Sequence, residues 1–176
     1  MDLSIFQAIH SLAGRLTILD WLAIFSAKYL GPLLILWVIW LLFKHQERFY
    51  NYSFAILATL LSRGLIVETI RFFYLRPRPF VVLEFVPLIS HDPASSFPSG
   101  HAALYFALAG SMWLVNKKYG WWFLSAATLI GLARIVVGVH WPTDIIAGAA
   151  IGLLSVCAVH YLLPRKSELI SGGQSQ

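Results

Sequence analysis

At 176 residues the chain suits a single domain, and 59% hydrophobic against 12% charged residues lies outside the range of soluble globular proteins. The formal charge of +5 does not point to nucleic acid, because the basic residues fall into membrane-flanking groups and one arginine cluster instead of one polar stretch. A single cysteine, Cys157, excludes an internal disulfide and a cysteine-based metal site, and its apolar surroundings predict a buried small side chain. The composition predicts an all-α, polytopic membrane helical bundle.

In chain order, Asp2 precedes any basic residue and no apolar run ends in a small-residue cleavage site, so the first residue is expected to be kept. Residues 3–19 carry Gln7, His10 and Arg15 among apolar neighbours and predict an amphipathic helix at the interface, with His10 facing headgroups or water and a sixth span left open. Trp21 to Phe43 is long enough for a first span, with Lys28 snorkelling to the nearer surface and Pro32 one turn later. After the polar run 44–48, Phe49 to about Tyr74 predicts a second span. It contains Arg63, Glu68 and Arg71, and charges at membrane depth need partners. Glu68 and Arg71 are three apart and predict an ion pair, whereas Arg63 has no assigned role beyond a buried pair or polar pocket.

The proline-rich stretch from Leu75 to Phe97 is too broken to span. A third span is expected from about Ser99 to Val115, a fourth from Trp121 to about Val139, and a fifth from Asp144 to Leu163, entered through Pro142. The count is therefore about five spans plus the N-terminal helix. Residues 1–163 are expected to form the membrane domain, and 164–176 a disordered tail. Lys44, Arg48, Lys117, Lys118, Arg165 and Lys166 then share one side, which the positive-inside rule makes cytoplasmic, with Tyr50, Tyr52, Trp121, Trp122 and Tyr161 as its aromatic belt. Gly148-x3-Gly152 is read as a close helix contact.

The opposite side collects three polar groups at one depth: Arg71, Arg76 and Arg78; Ser99, Gly100 and His101; Arg134, His140 and Asp144. Forked guanidinium groups and the free N–H groups of a helix start match a tetrahedral, multiply charged anion. His140 and Asp144, four apart, allow the carboxylate to hold one ring nitrogen and leave the other free to attack, while His101 supplies a second imidazole as acid. A metal bound by His101, His140 and Asp144 is the competing arrangement, disfavoured because four nearby cations repel the ion. No cofactor is called for.

The spacings R-x6-R-P from Arg71 to Pro79, P-S-G-H from Pro98 to His101, and R-x5-H-x3-D from Arg134 to Asp144 resemble the three-part signature of the type-2 phosphatidic acid phosphatase superfamily, which also includes the vanadium haloperoxidases. The resemblance covers roughly residues 60–155. It implies that His140 is a nucleophile forming a phosphohistidine, that Asp144 orients it, that His101 is the general acid, and that Arg71, Arg78, Ser99, Gly100 and Arg134 hold the phosphate. Two positions depart from the usual pattern: Arg71 stands where Lys is normal, and Ala133 stands where Ser often precedes the arginine.

Short length and the R-P-R-P-F run resemble bacterial undecaprenyl-diphosphate phosphatases most, with phosphatidylglycerophosphate phosphatases next. That implies a lipid phosphate substrate in the bacterial inner membrane, with the site facing the periplasm or exterior. Arg76 is expected to hold a second phosphate, or to snorkel or pair with Glu84. The alternatives are a glycerolipid or phosphatidic acid substrate, a non-enzymatic phospholipid transporter using the same arginines, and a haloperoxidase. His45 and His160 are expected at the cytoplasmic edge, and His91 in the outer loop within approach of substrate.

Overall fold

The computed structural model describes residues 1–44 and 49–162. The expected tail 164–176, with Arg165 and Lys166, lies outside the described residues, as do His45, Arg48 and the side chains of Tyr50 and Tyr52. Among the described residues there are helices and no strands: α1 Asp2–His10, α2 Thr17–Lys28, α3 Leu30–Lys44, α4 Phe49–Thr59, α5 Val67–Phe73, α6 Pro79–Val82, α7 Gly100–Val115, α8 Lys117–Val136 and α9 Pro142–Leu162. A π-helical segment, Leu60–Ile66, joins α4 to α5.

Ser53–Phe73, α8 and α9 are each long and apolar enough to cross a membrane, and α2 with α3 passes as one span bent by 45°. Helix α7 is apolar but only 16 residues long, against the roughly 20 a bilayer needs. The sixth span left open for the N-terminus does not form, because α1 has nine residues.

Helix α7 sits at the centre, packed against α8, α9 and α4. Its buried positions are mostly small: Gly100, Ala102, Ala103, Ala107, Ala109 and Ser111. Gly148 and Gly152 of α9 lie directly on Ser99 O and Ala103 O, so α7 and α9 approach to backbone contact, as the small-xxx-small pattern predicts. Toward the other end Leu34, Val38, Leu41, Leu108, Met112, Phe123 and Ile130 form the main apolar cluster.

The bend between α2 and α3 has a local cause. Pro32 has no N–H for the carbonyl of Lys28, four residues back, and its ring crowds that carbonyl. Helix α2 therefore ends at Lys28. Three expectations are corrected here. Residues 3–19 do not form one interfacial helix: α1 stops at His10, and its Phe6 is fully buried against Trp141 and Phe85. His10 is half-buried and turned inward, its Nδ1 bonding Val136 O at 2.8 Å and its ring stacking on Phe6. Cys157 is likewise exposed on the outer face of α9 instead of buried.

Candidate active site

The third polar group is built by two helix ends. Helix α8 closes with a Schellman turn: Gly138, at φ +87°, donates to Ile135 O, and Val139 donates to Arg134 O. The left-handed conformation favours glycine, and it sets His140 two residues beyond the turn. Helix α9 then starts at Pro142, which makes Asp144 its third residue. Asp144 Oδ2 reaches back to accept Trp141 N–H at 2.8 Å, the return half of a capping box. The same oxygen lies 3.3 Å from His140 Nδ1. The pair thus forms across the helix start, not within one helical turn as the spacing suggested.

Ser99 is the N-cap of α7. Its hydroxyl accepts from Ala102 N–H, and its own N–H donates to Asp144 O at 3.0 Å, which locks the P-S-G-H turn to the start of α9. Gly100 is glycine for a steric reason, since any Cβ there would occupy the space of the Arg63 side chain. Arg63 in turn pairs with Glu68. The two are five apart, and the wide π-helical turn, closed by Val67 N–H to Ser62 O, brings them onto one face. Arg71 makes the longer contact with Glu68, at 3.8 Å, and donates to Pro98 O at 3.0 Å.

Arg78 and Arg134 are almost fully buried, as are His140 and Asp144. Arg78 donates to Val139 O and Ser95 O, and its Nη1 lies 3.4 Å from His140 Nε2. Arg134 donates to Ala27 O. Among the described residues, the buried nitrogens Arg71 Nε, Arg78 Nε, Arg134 Nε and Arg134 Nη2 have no partner. Buried donors are normally satisfied, so these four orphans, on three mutually repelling guanidinium groups, are the unusual feature of the cluster. Burial, then the Arg71 charge, lowers the Arg78 pKa to about 10, which still leaves it cationic at neutral pH. Burial, followed by Arg134 and Arg78, pushes the His140 imidazole well below its ordinary range. It is therefore neutral, with Nδ1 turned to the carboxylate and Nε2 toward Arg78.

Beside these groups opens a cavity of about 430 Å³, lined among others by Lys28, Leu88, His91, His101 and Arg134. His101 is exposed on its wall. His91, from the 75–97 loop, does reach the site, its ring 6.2 Å from that of His140. Burial, then the Arg78 charge, lowers its pKa to about 4. Among the described residues no three His, Cys, Asp or Glu are grouped to hold a metal ion.

Arg76 does not join the phosphate groups. Its Nη1 donates to Asp144 Oδ1 and to Thr143 Oγ1, both at 2.7 Å, and its Nη2 to Asp2 Oδ2 at 2.6 Å. Both its terminal nitrogens are thus engaged behind the carboxylate, and its ion pairs are with Asp2 and Asp144 in place of Glu84. Asp2 closes the network by accepting from Thr143 N–H and its hydroxyl. Burial works against the Asp2 charge, but Thr143 and Arg76 outweigh it and hold its pKa below the usual carboxylate range. Sequence reasoning missed Asp2 and the pairing of Arg63 with Glu68.

A family model described as the PAP2 superfamily matches residues 52–168. The chain belongs to the PAP2 superfamily. Undecaprenyl-diphosphatase BcrC of Bacillus subtilis is 32% identical over 173 residues, covering 97% of this chain and 86% of that protein. The crystal structure of LpxE from Aquifex aeolicus superposes with a TM-score of 0.77 at 30% identity, covering 90% of this chain and 94% of that one. A PAP2 type phosphatidylglycerolphosphate phosphatase from Bacillus subtilis superposes at 0.54 with 26% identity, covering 90% and 84%. This PAP2 protein is a membrane lipid phosphatase.

Proposed function

We propose that this PAP2 phosphatase removes the terminal phosphate of a long polyprenyl diphosphate, such as undecaprenyl diphosphate, through a phosphohistidine on His140. The observation that carries the reading is the set of orphaned guanidinium nitrogens beside a buried, neutral His140 held by Asp144. In this reading Arg71, Arg78 and Arg134, with the Ser99 and Gly100 turn, hold the three non-bridging oxygens. His140 Nε2 attacks phosphorus while Asp144 stabilises the imidazolium that forms at Nδ1. The P–O bond to the leaving oxygen breaks, and His101 supplies its proton. Water then cleaves the N–P bond, releasing phosphate. The arginines neutralise the charge that a metal ion would otherwise meet, so the reaction is metal-independent.

Residues 1–163 constitute the phosphatase domain, in the bacterial inner membrane with the site facing the periplasm. Phe72, Phe73, Leu75 and Val86, all exposed beside the site end, suit a hydrocarbon chain that stays in the bilayer while its headgroup enters. The deciding measurement is kcat/KM for undecaprenyl diphosphate against phosphatidylglycerophosphate in matched detergent. A preference for the diphosphate is expected; a preference for the glycerolipid overturns the substrate.

A further inference from the structure

The cavity lined by His91, His101 and Arg134 carries on its wall a cation outside the three-part pattern. Lys28 is the last residue of α2, at the break that Pro32 imposes. It directly follows Ala27, whose carbonyl fixes Arg134 Nη1 at 3.2 Å. The break therefore sets Lys28 beside one of the phosphate-binding arginines, on the wall that also holds His101 and His91. The side chain is exposed, its ammonium 5.4 Å from the centre of the Tyr29 ring, and among the described residues no carboxylate pairs with it. A lysine within an apolar span is costly unless it faces a polar cavity, and this one does. Of the other cations beyond the pattern, Arg63 is paired with Glu68, and Arg76 has both terminal nitrogens engaged by Asp2, Thr143 and Asp144.

We propose that Lys28 binds the lipid-attached phosphate of a diphosphate and so selects diphosphates over monophosphates, a step that rests on the proposed function. With the terminal phosphate on Arg71, Arg78 and Arg134, the bridging oxygen falls toward His101 and the second phosphate toward Lys28. When the His140 N–P bond forms and the bridging P–O bond breaks, the electron pair stays on the bridging oxygen, which takes its proton from His101. The departing lipid monophosphate keeps negative charge on its other oxygens, and the Lys28 ammonium meets it there. A lipid monophosphate leaves as an alcohol and presents no such charge.

The test is inhibition of the wild type and Lys28→Gln by pyrophosphate and by orthophosphate, with release of phosphate from phosphatidic acid as reporter. Lys28→Gln should weaken pyrophosphate inhibition about tenfold relative to orthophosphate, the scale of one charge-assisted contact, and lower the diphosphate-to-monophosphate ratio of kcat/KM similarly. Lys28→Arg should restore both ratios. Equal weakening of the two inhibitors, or none, overturns the subsite. Because the inhibitors are soluble and the reporter is a monophosphate, the competition reads the subsite separately from the natural substrate. A wild type that prefers phosphatidylglycerophosphate, with pyrophosphate discrimination lost in Lys28→Gln, would overturn the substrate reading and keep the subsite.

Discussion

At the scale of single residues, the proposed mechanism divides the site into groups that meet the phosphate and groups that hold those groups. His140 and His101 are of the first kind, and their separate chemistry is measurable. His140→Ala should reduce turnover to background, whereas His101→Ala should lose about 10²–10⁴-fold on a lipid substrate yet still form phosphoenzyme from a substrate with a good leaving group. Substantial turnover by His140→Ala removes it as nucleophile. The free enzyme should also keep its nucleophile unprotonated well below the ordinary imidazole pKa of about 6.5, because burial and the arginines push His140 down. The sign follows: a lowered pKa moves the acid limb of kcat/KM to lower pH. After allowance for the second ionisation of the substrate phosphate near pH ~6, the acid limb for a good-leaving-group substrate should carry no ionisation at the ordinary imidazole value. A break near 6.5 would contradict it. Asp2 and Arg76 are of the second kind. Asp2→Asn leaves Arg76 half-held, so it should lower kcat while KM stays close to wild type, since no phosphate contact is lost. A raised KM at constant kcat would place Arg76 on the substrate after all.

Helices show where the sequence was legible and where it was not. The close approach of α9 to a neighbouring helix could be read directly, because the Gly148-x3-Gly152 pair has one physical use between helices. The spacing within each of the three motifs was also legible, since local turns fix it: Gly138 sets His140 relative to Arg134, and Pro142 sets Asp144. What stayed hidden depends on contacts across the chain. Asp2 meets Thr143 only after α1 docks on Trp141 through Phe6, and no periodicity encodes that. Arg63 could not be placed because a regular helix would not set it facing Glu68; the π-helical turn does, and that turn has no composition of its own. The Cys157 expectation failed because in a membrane bundle an apolar run does not imply burial in protein. The helix contact itself is testable. Gly148→Leu forces α7 and α9 apart at the backbone of Ser99, at a cost of about 1–3 kcal/mol for overpacking, and should lower both the Tm in detergent and activity. The same change at Gly64, where a side chain would meet nothing, should leave the Tm within a degree or two. Equal effects at both positions would show that α7 and α9 do not touch there.

For the whole molecule, the helix ends fall into two sets, and the site belongs to one. The end of α5, the start of α7, the end of α8 and the start of α9 converge on His140, while α2 and α3 descend from Ala23 beside Val137 and Val139 to Trp37 beside Tyr119 and Phe123. Lys44, Lys117 and Lys118 mark the far end, with Trp121, Trp122 and Tyr161 exposed near it. The near end has as many cations by sequence, but Arg78 and Arg134 are buried and Arg76 is spent in ion pairs, which leaves few free to retain a loop in the cytoplasm. The charge asymmetry that counts is thus larger than the formal one, and it predicts the site outside. Cysteine labelling in intact cells checks this, on a Cys157→Ser background because the native thiol is exposed. Ala94 and Lys118 are exposed at opposite ends, so neither substitution disturbs packing. A cysteine at Ala94 should react with a membrane-impermeant thiol reagent before lysis, and one at Lys118 only afterwards. The reverse pattern would put His140 on the cytoplasmic side and remove every substrate confined to the outer leaflet.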